Sequence, residues 1–244
     1  MAYAPIKPRP TAGALSFLGE PTLIPVLIVP ILTRPELLQE MVASIDHPVR
    51  RLVVIDNGLV VIDNGDVVRD LQVPPVVEST YVVRLPGNLG VAGSWNLGIK
   101  ATPMAPWWLV ANFDVTWPAG SLAAFADLNP VNRLALSGGS PAWCAFAIGE
   151  QVIDQVGLFD EAMHPGYFED DDMTRRCEAN GITVERTGIP VNHRNSSTLT
   201  VDRYAQRNTV TFNENAAYYS DKVANDDLSE GRWTLARRRR LAWD

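Results

Sequence analysis

Val26-Leu-Ile-Val-Pro-Ile-Leu-Thr-Arg-Pro-Glu-Leu-Leu38, followed by Leu52-Val-Val-Ile-Asp-Asn-Gly58, decides the fold class. Val26 to Ile31 is a short, almost wholly apolar run, whereas Pro35 to Ile45 sets Leu37, Leu38, Met41, Val42 and Ile45 on one helical face. Leu52 to Ile55 is apolar again, so the order is strand, helix, strand. Thr33 and Glu36 have capping-box spacing, and Pro35 is tolerated in a first turn, so the helix is expected to start directly after the strand. Strands that are apolar throughout, instead of alternating, belong to a sheet covered on both faces, and such sheets are mainly parallel.

The rest of the chain extends this pattern. Tyr81 to Leu85, Trp107 to Ala111, Leu134 to Leu136 and Trp143 to Ile148 are further candidate strands, with helices near Val91 to Lys100 and Ser121 to Leu128. Residues 1 to 20 carry proline without an apolar period and are expected to form an extended arm. Residues 21 to 200 form the main α/β domain, and 201 to 244 form a polar, helical C-terminal extension packed on it and ending in the Arg237 to Arg240 run. That run is either a contact for an anionic surface or a solvated helix end. Leu52-Val-Val-Ile-Asp-Asn-Gly58 is repeated at once as Leu59-Val-Val-Ile-Asp-Asn-Gly65, too short a period for a solenoid. The second copy is either a local duplication or a strand folded back at Asn57-Gly58, and Asp56 and Asp63 compete for one role.

Composition narrows the function. A chain of 244 residues with formal net charge -7 lacks the basic surface that sequence-independent nucleic-acid binding needs. Cys144 and Cys177 are the only cysteines and stand in no paired motif, which argues against a disulfide scaffold and for a cytoplasmic protein. The longest apolar run, Pro25 to Leu32, is too short to cross a bilayer and contains Pro30, so no transmembrane segment is expected.

Ligands of open parallel sheets bind beyond the carboxyl ends of the strands, which directs attention to polar residues ending apolar runs. Thr33-Arg34, Asp56-Asn57-Gly58 and Asn112-Phe-Asp114 are such ends, although any one of them can simply start a turn. Residues two apart on an extended segment point the same way, so Asn112 and Asp114 can share one hard cation such as Mg2+ or Mn2+. Pro86-Gly-Asn88-Leu-Gly90-Val-Ala-Gly93-Ser-Trp95-Asn96 opens a helix, where backbone N–H groups can receive phosphate or ribose oxygens, or where the glycines only allow close packing. Its spacing fits neither a Walker loop nor a dinucleotide fingerprint. Gly166-Tyr-Phe-Glu169-Asp170-Asp171-Asp172-Met-Thr-Arg-Arg176 packs four consecutive carboxylates after two aromatics. Their repulsion is offset by a metal, a cationic ligand or a helix N-terminus, and capping alone is the simplest account. Surface positions suffice for His47 and His164, whereas His193, between Asn192 and Arg194 after an apolar run, fits the edge of a site.

Taken in order, these segments resemble the family 2 glycosyltransferases, nucleotide-sugar-dependent enzymes with the GT-A fold, over roughly residues 25 to 197. The resemblance implies a Rossmann-like nucleotide-binding half, including Val53-Val-Ile-Asp-Asn-Gly58, and an acceptor-binding half, including Gly157-Leu-Phe-Asp-Glu161 and the acidic cluster. It implies an inverting enzyme that moves a sugar from a nucleoside-diphosphate sugar, UDP-type favoured, to an acceptor hydroxyl. Asp170 would be the base with Glu169 beside it, and Asp114 and His193 would hold Mn2+ or Mg2+. Thr33, Arg34, Asp56, Asn88, Gly90, Trp95, Asn96 and Asn112 fall on the nucleotide-sugar side, and Trp143, Asp171 and Asp172 on the acceptor side. One departure is Asn112, where the family carries the first acid of Asp-x-Asp, which removes one charge and weakens metal affinity. A nucleotidyltransferase and a noncatalytic carbohydrate-binding or assembly module are the alternatives. The first would normally place a Gly-rich basic loop after the first strand, where Pro30-Ile-Leu-Thr-Arg-Pro35 has no glycine.

Overall fold

The computed structural model of the chain describes residues 22–58, 70–194 and 202–231. The N-terminal arm, the second copy of the repeat with Asp63, and the Arg237 to Arg240 run lie outside the described residues. The elements run β1 (Leu27–Ile31), α1 (Pro35–Ala43), β2 (Leu52–Asp56), β3 (Thr80–Arg84), α2 (Gly90–Ala101), β4 (Trp107–Ala111), β5 (Val115–Thr116), α3 (Ser121–Leu128) and β6 (Leu134–Leu136). A 3-10 turn (Ala142–Cys144) precedes β7 (Ala145–Gly149), then α4 (Glu150–Val156), α5 (Glu169–Ala179), β8 (Val184–Arg186), β9 (Asn192–His193) and α6 (Asp202–Ala224).

Seven strands form one sheet in the order β3-β2-β1-β4-β7-β6-β8. Strands β1, β2, β3 and β4 pair in parallel, as do β6 and β8, while β7 runs against both neighbours. The short β6–β7 connection explains that reversal, because parallel neighbours need a long crossover. The strands are apolar throughout because both faces are covered. Leu27, Val29 and Ile31 face α1 and α3 with Leu37, Met41, Leu122 and Phe125, whereas Val26 and Ile28 join Trp95, Ile99, Val152 and Met173 on the opposite side. A side chain at Gly98 of α2 would place its Cβ 2.6 Å from Ile28 Cγ2, so that helix lies hard against β1.

Two local expectations are corrected. The capping box at α1 does not form. Arg34 occupies the N-cap in the left-handed region (φ 59, ψ 57), and Glu36 Oε1, which would have closed the box, is 2.5 Å from Arg34 Nε. Trp143 does not start a strand either, because Cys144 N–H bonds back to Pro141 O and the serine hydroxyl of Ser137 to Ala142 O, which coils the segment before β7.

Helix α6 is fastened to the domain by charge. Lys222 Nζ lies 2.8 Å from Asp160 Oδ2 and 2.9 Å from Asp172 Oδ1, and Asp172 Oδ2 takes a 2.8 Å bond from Arg176 Nε. The Lys222–Asp172 contact neutralises charge without the alignment of a hydrogen bond. Tyr218 donates to Asp160, and Lys222 also donates to Ser229 O. All four charged side chains of this cluster are buried. Removing one partner from such a group leaves uncompensated charge in the interior. Lys222→Met is expected to destabilise the protein by about 3–5 kcal/mol, read from urea unfolding midpoints. A loss below about 1 kcal/mol would mean that the cluster is hydrated and unimportant to the fold.

Candidate active site at the carboxyl edge of the sheet

Because β1, β2 and β4 are parallel, Thr33, Asp56 and Asn112 leave the sheet at one edge. Asp56 is buried, accepts a 3.0 Å bond from Gly58 N–H, and is approached by Arg84 Nε at 3.4 Å. Asn57 links two loops, donating to Ser94 Oγ at 2.8 Å and accepting from Leu89 N–H at 3.0 Å. Thr33 is buried with its hydroxyl unbonded among the described residues, so a polar ligand group reaching it would meet an unused partner.

Of the two readings open for the start of α2, three N–H groups follow the packing one. Leu89 N–H is bonded to Asn57, Gly90 N–H to Asn88 Oδ1 (2.8 Å), and Val91 N–H to Pro165 O (2.7 Å). Gly90 is required for packing, since at φ +77 its Cβ would lie 2.8 Å from both His164 Cδ2 and Pro165 O. Trp95 and Asn96 also serve the framework. Trp95 is enclosed by Phe146 and Phe159 and stacks at 6.4 Å on Trp143. Asn96 spends its amide on Phe159 O, Phe159 N–H and Glu161, each at 2.9 Å. Trp143, half-buried, is mostly occupied by Phe146 and Phe159. His164 is buried and not on the surface, with Nε2 3.0 Å from Asn88 O.

The pairing of β5 with β9 sets Val115 opposite His193 and so brings together three residues far apart in sequence. His193 Nε2 is 3.2 Å from Asp114 Oδ1 and 3.4 Å from Asn112 Nδ2, while His193 Nδ1 is 3.1 Å from Ser140 O. A carbonyl only accepts, so Nδ1 carries a hydrogen and a neutral ring would turn the Nε2 lone pair toward a carboxylate. A proton or a cation resolves that opposition. Burial works against charging His193 and is the largest single influence, but the Asp114 carboxylate and the Ser140 carbonyl together outweigh it and raise its proton affinity. Among the described residues no three His, Cys, Asp or Glu side chains gather as a metal cluster. A carboxylate, an imidazole oriented by a backbone carbonyl, and an amide nevertheless fit a cation whose remaining positions are left to other oxygen donors such as water.

At the acidic segment the four carboxylates have different surroundings, as their spacing of about 100 degrees requires. Asp172 is removed from the acceptor side, since it is buried in the Lys222 and Arg176 cluster. Asp171 is exposed. Asp170 is half-buried, and burial, then the neighbouring Asp171 charge, raises its proton affinity despite the bond from Asp171 N–H at 3.0 Å. Glu169 is 6% exposed with Oε2 unbonded, and burial above all, reinforced by Asp170, pushes its carboxyl well above the usual range.

Tyr167 and Phe168 precede them at φ 78 and φ 73, a conformation that costs aromatic residues on the order of 1–3 kcal/mol each. Helix α6 holds this turn. Asn215 Nδ2 donates to Gly166 O (2.8 Å) and His164 O (3.2 Å), and Phe168 stacks on Tyr219. The turn in turn touches the Asn88 loop through His164, Pro165 and Gly166, so the acidic residues share the edge with Asp56 and Asn88. Asn215 and Lys222 are the residues that sequence reasoning missed, because a polar helix gives no sign of which face turns inward until its neighbours are placed.

Glu169 yields a pH test. Its folded proton affinity is raised, so its contribution to stability is complete below its ordinary value of 4.5 and is lost as pH rises toward the folded value. Glu169→Gln removes this dependence, and its stability relative to the native protein should grow between about pH 4 and pH 8. Parallel unfolding midpoints for the two proteins across that interval would contradict it.

A scan against protein-family models finds no match to the chain, and a search of curated proteins finds none. Solved structures do match. The mannosyltransferase PcManGT from Pyrobaculum calidifontis, solved with GDP-Man and Mn2+, aligns at TM-score 0.60 and 15% identity over 96% of this chain and 71% of that one. TarS from S. aureus aligns at TM-score 0.56 and 17% identity, over 85% of this chain and 41% of its own. The chain therefore spans less than half the length of TarS. Likeness at these identities speaks for architecture, and with the sheet order and the strand-end site it establishes that the chain has the GT-A fold.

Proposed function

We propose that the protein is an inverting glycosyltransferase that takes a sugar from a nucleoside-diphosphate sugar and delivers it to an acceptor hydroxyl. The observation that carries this reading is the meeting of Asn112, Asp114 and His193 at the same sheet edge as Asp56 and the acidic turn. Asp56, Asn88, Thr33 and Arg34 line the nucleotide side. With the first N–H groups of α2 already bonded within the protein, the diphosphate charge has to be met elsewhere. Asp114 and His193, with Asn112, would hold a divalent cation, which when bound offsets the charge of the departing diphosphate.

Asp170 takes the proton of the acceptor hydroxyl. As it does so, the acceptor oxygen forms its bond to the anomeric carbon from the face opposite the leaving group, and the carbon–oxygen bond to the diphosphate breaks with its electron pair. A raised proton affinity suits that task near neutral pH. Burial of Glu169 disfavours its ionised form and so works against a second negative charge beside the base.

Two measurements test the reading. Asp170→Asn keeps size and removes basicity, so turnover should fall about 100-fold or more, while calorimetric affinity for UDP or GDP stays within a few-fold. Turnover as in the native protein would exclude Asp170 as the base. Mn2+ should tighten nucleoside-diphosphate binding, Asp114→Ala should abolish the gain, and Asn112→Asp should enlarge it by adding charge. Equal Mn2+ response in all three proteins would remove the metal assignment.

A further inference from the structure

Beside Asp170 stands an aromatic surface that neither the fold nor the proposed base explains. Tyr167 is 39% exposed and Phe212 of α6 is 40% exposed, and their rings meet edge to face at 5.2 Å. The neighbouring Phe168 is anchored against Tyr219 and Phe212 and supplies the packing that fastens the turn. The Tyr167 ring is fixed instead at its two ends, by the braced backbone of the turn and by a hydrogen bond that its hydroxyl oxygen accepts from the Asn208 side chain. A large apolar ring is thus held rigid and open in a backbone conformation that disfavours any side chain. Glu169, two residues on, is more than nine-tenths buried and keeps Oε2 unbonded among the described residues. An unbonded buried carboxyl oxygen beside an open ring is the chemistry of a ligand with both hydroxyls and an apolar face.

We infer that Tyr167 and Phe212 form a platform for a sugar ring of the acceptor, which lies with its C–H face on the Tyr167 ring and its hydroxyls toward Glu169 and Asp170. The inference rests on the glycosyl-transfer reading and names its acceptor class, a neutral saccharide. Charge decides against the main competitor, a phosphorylated lipid carrier. The platform adjoins the exposed Asp171 and the half-buried Asp170, carboxylates that would repel a phosphate, and the chain as a whole is acidic. The nearest basic groups of α5, Arg175 and Arg176, are engaged with Asp226 and Asp227 and with Asp172.

The test is saturation-transfer NMR on the full chain with UDP or GDP present, using methyl glycosides of glucose, galactose, mannose and N-acetylglucosamine, with farnesyl phosphate as the lipid comparison. At least one glycoside should receive saturation at its ring C–H protons. Tyr167→Phe should keep the signal, and Tyr167→Gly and Phe212→Ala should each lower it at least about fivefold. Tyr167→Gly is the decisive variant, because glycine accepts the positive φ without strain. It should unfold at the same or a higher temperature than the native protein while losing the saccharide. The inference is overturned if no glycoside receives saturation, if Tyr167→Gly keeps the signal, or if farnesyl phosphate alone binds. Calorimetry with the nucleoside diphosphate separates the two levels. Absence of nucleotide binding defeats the glycosyl-transfer reading itself, whereas nucleotide binding with no Tyr167-dependent saccharide signal defeats only the platform.

Discussion

The parallel run of β1, β2 and β4 is the constraint on which the rest depends. A parallel strand pair needs a crossover, the crossovers of α1 and α2 cover the two faces, and covering both faces forces the strands to be apolar throughout. Polar residues are then excluded from the strands and gather where they end. Because the strands agree in direction, those ends fall on one edge. The candidate site is in this sense what remains when the core has been satisfied. Strand β7, reversed between β4 and β6, adds Ser140 and Cys144 to the same edge, where Ser140 O orients His193 and Cys144 O accepts from Asn112 N–H.

Four adjacent carboxylates show how environment divides labour within one sequence motif. Asp172 sits between Lys222 and Arg176 and belongs to the fold, and Asp171 belongs to solvent. Glu169 is buried with no cation paired to it among the described residues, and its proton affinity is raised well above the ordinary range, whereas Asp170 is only partly enclosed and raised less. Their common position at the start of α5 reduces mutual repulsion through the helix dipole. It does not make them equivalent.

Much of this was legible in the chain. The strand at Trp107–Ala111, the helix at Ser121–Leu128 and the strand at Leu134–Leu136 coincide with their apolar runs, because each is bounded by turn-forming residues. The meeting of Asp114 with His193 was legible only through family resemblance, since no local period links residues that distant. Three matters were not legible. The first N–H groups of α2 look available in sequence and are bonded by side chains and a carbonyl from elsewhere. Trp95 and Asn96 look like ligand contacts and are framework, because Phe159 reaches them from a remote loop. Glu36 looks like a cap and pairs with Arg34 instead, a competition between two neighbours that spacing cannot settle.

The Lys222 cluster also bears on how the chain is made. Its lysine lies 62 positions after Asp160, so a chain growing from its N-terminus has every described strand in place in sequence before the cation that neutralises Asp160 is added. Until then Asp160 has no cation within the cluster and Asp172 has only Arg176, and the turn that carries the acidic residues lacks Asn215 as well. The bracing of the acidic helix thus depends on residues made after every described strand, whereas the register of the strand-end residues does not. Helix α6, made after every described strand, joins the acidic turn to the site that the sheet edge begins.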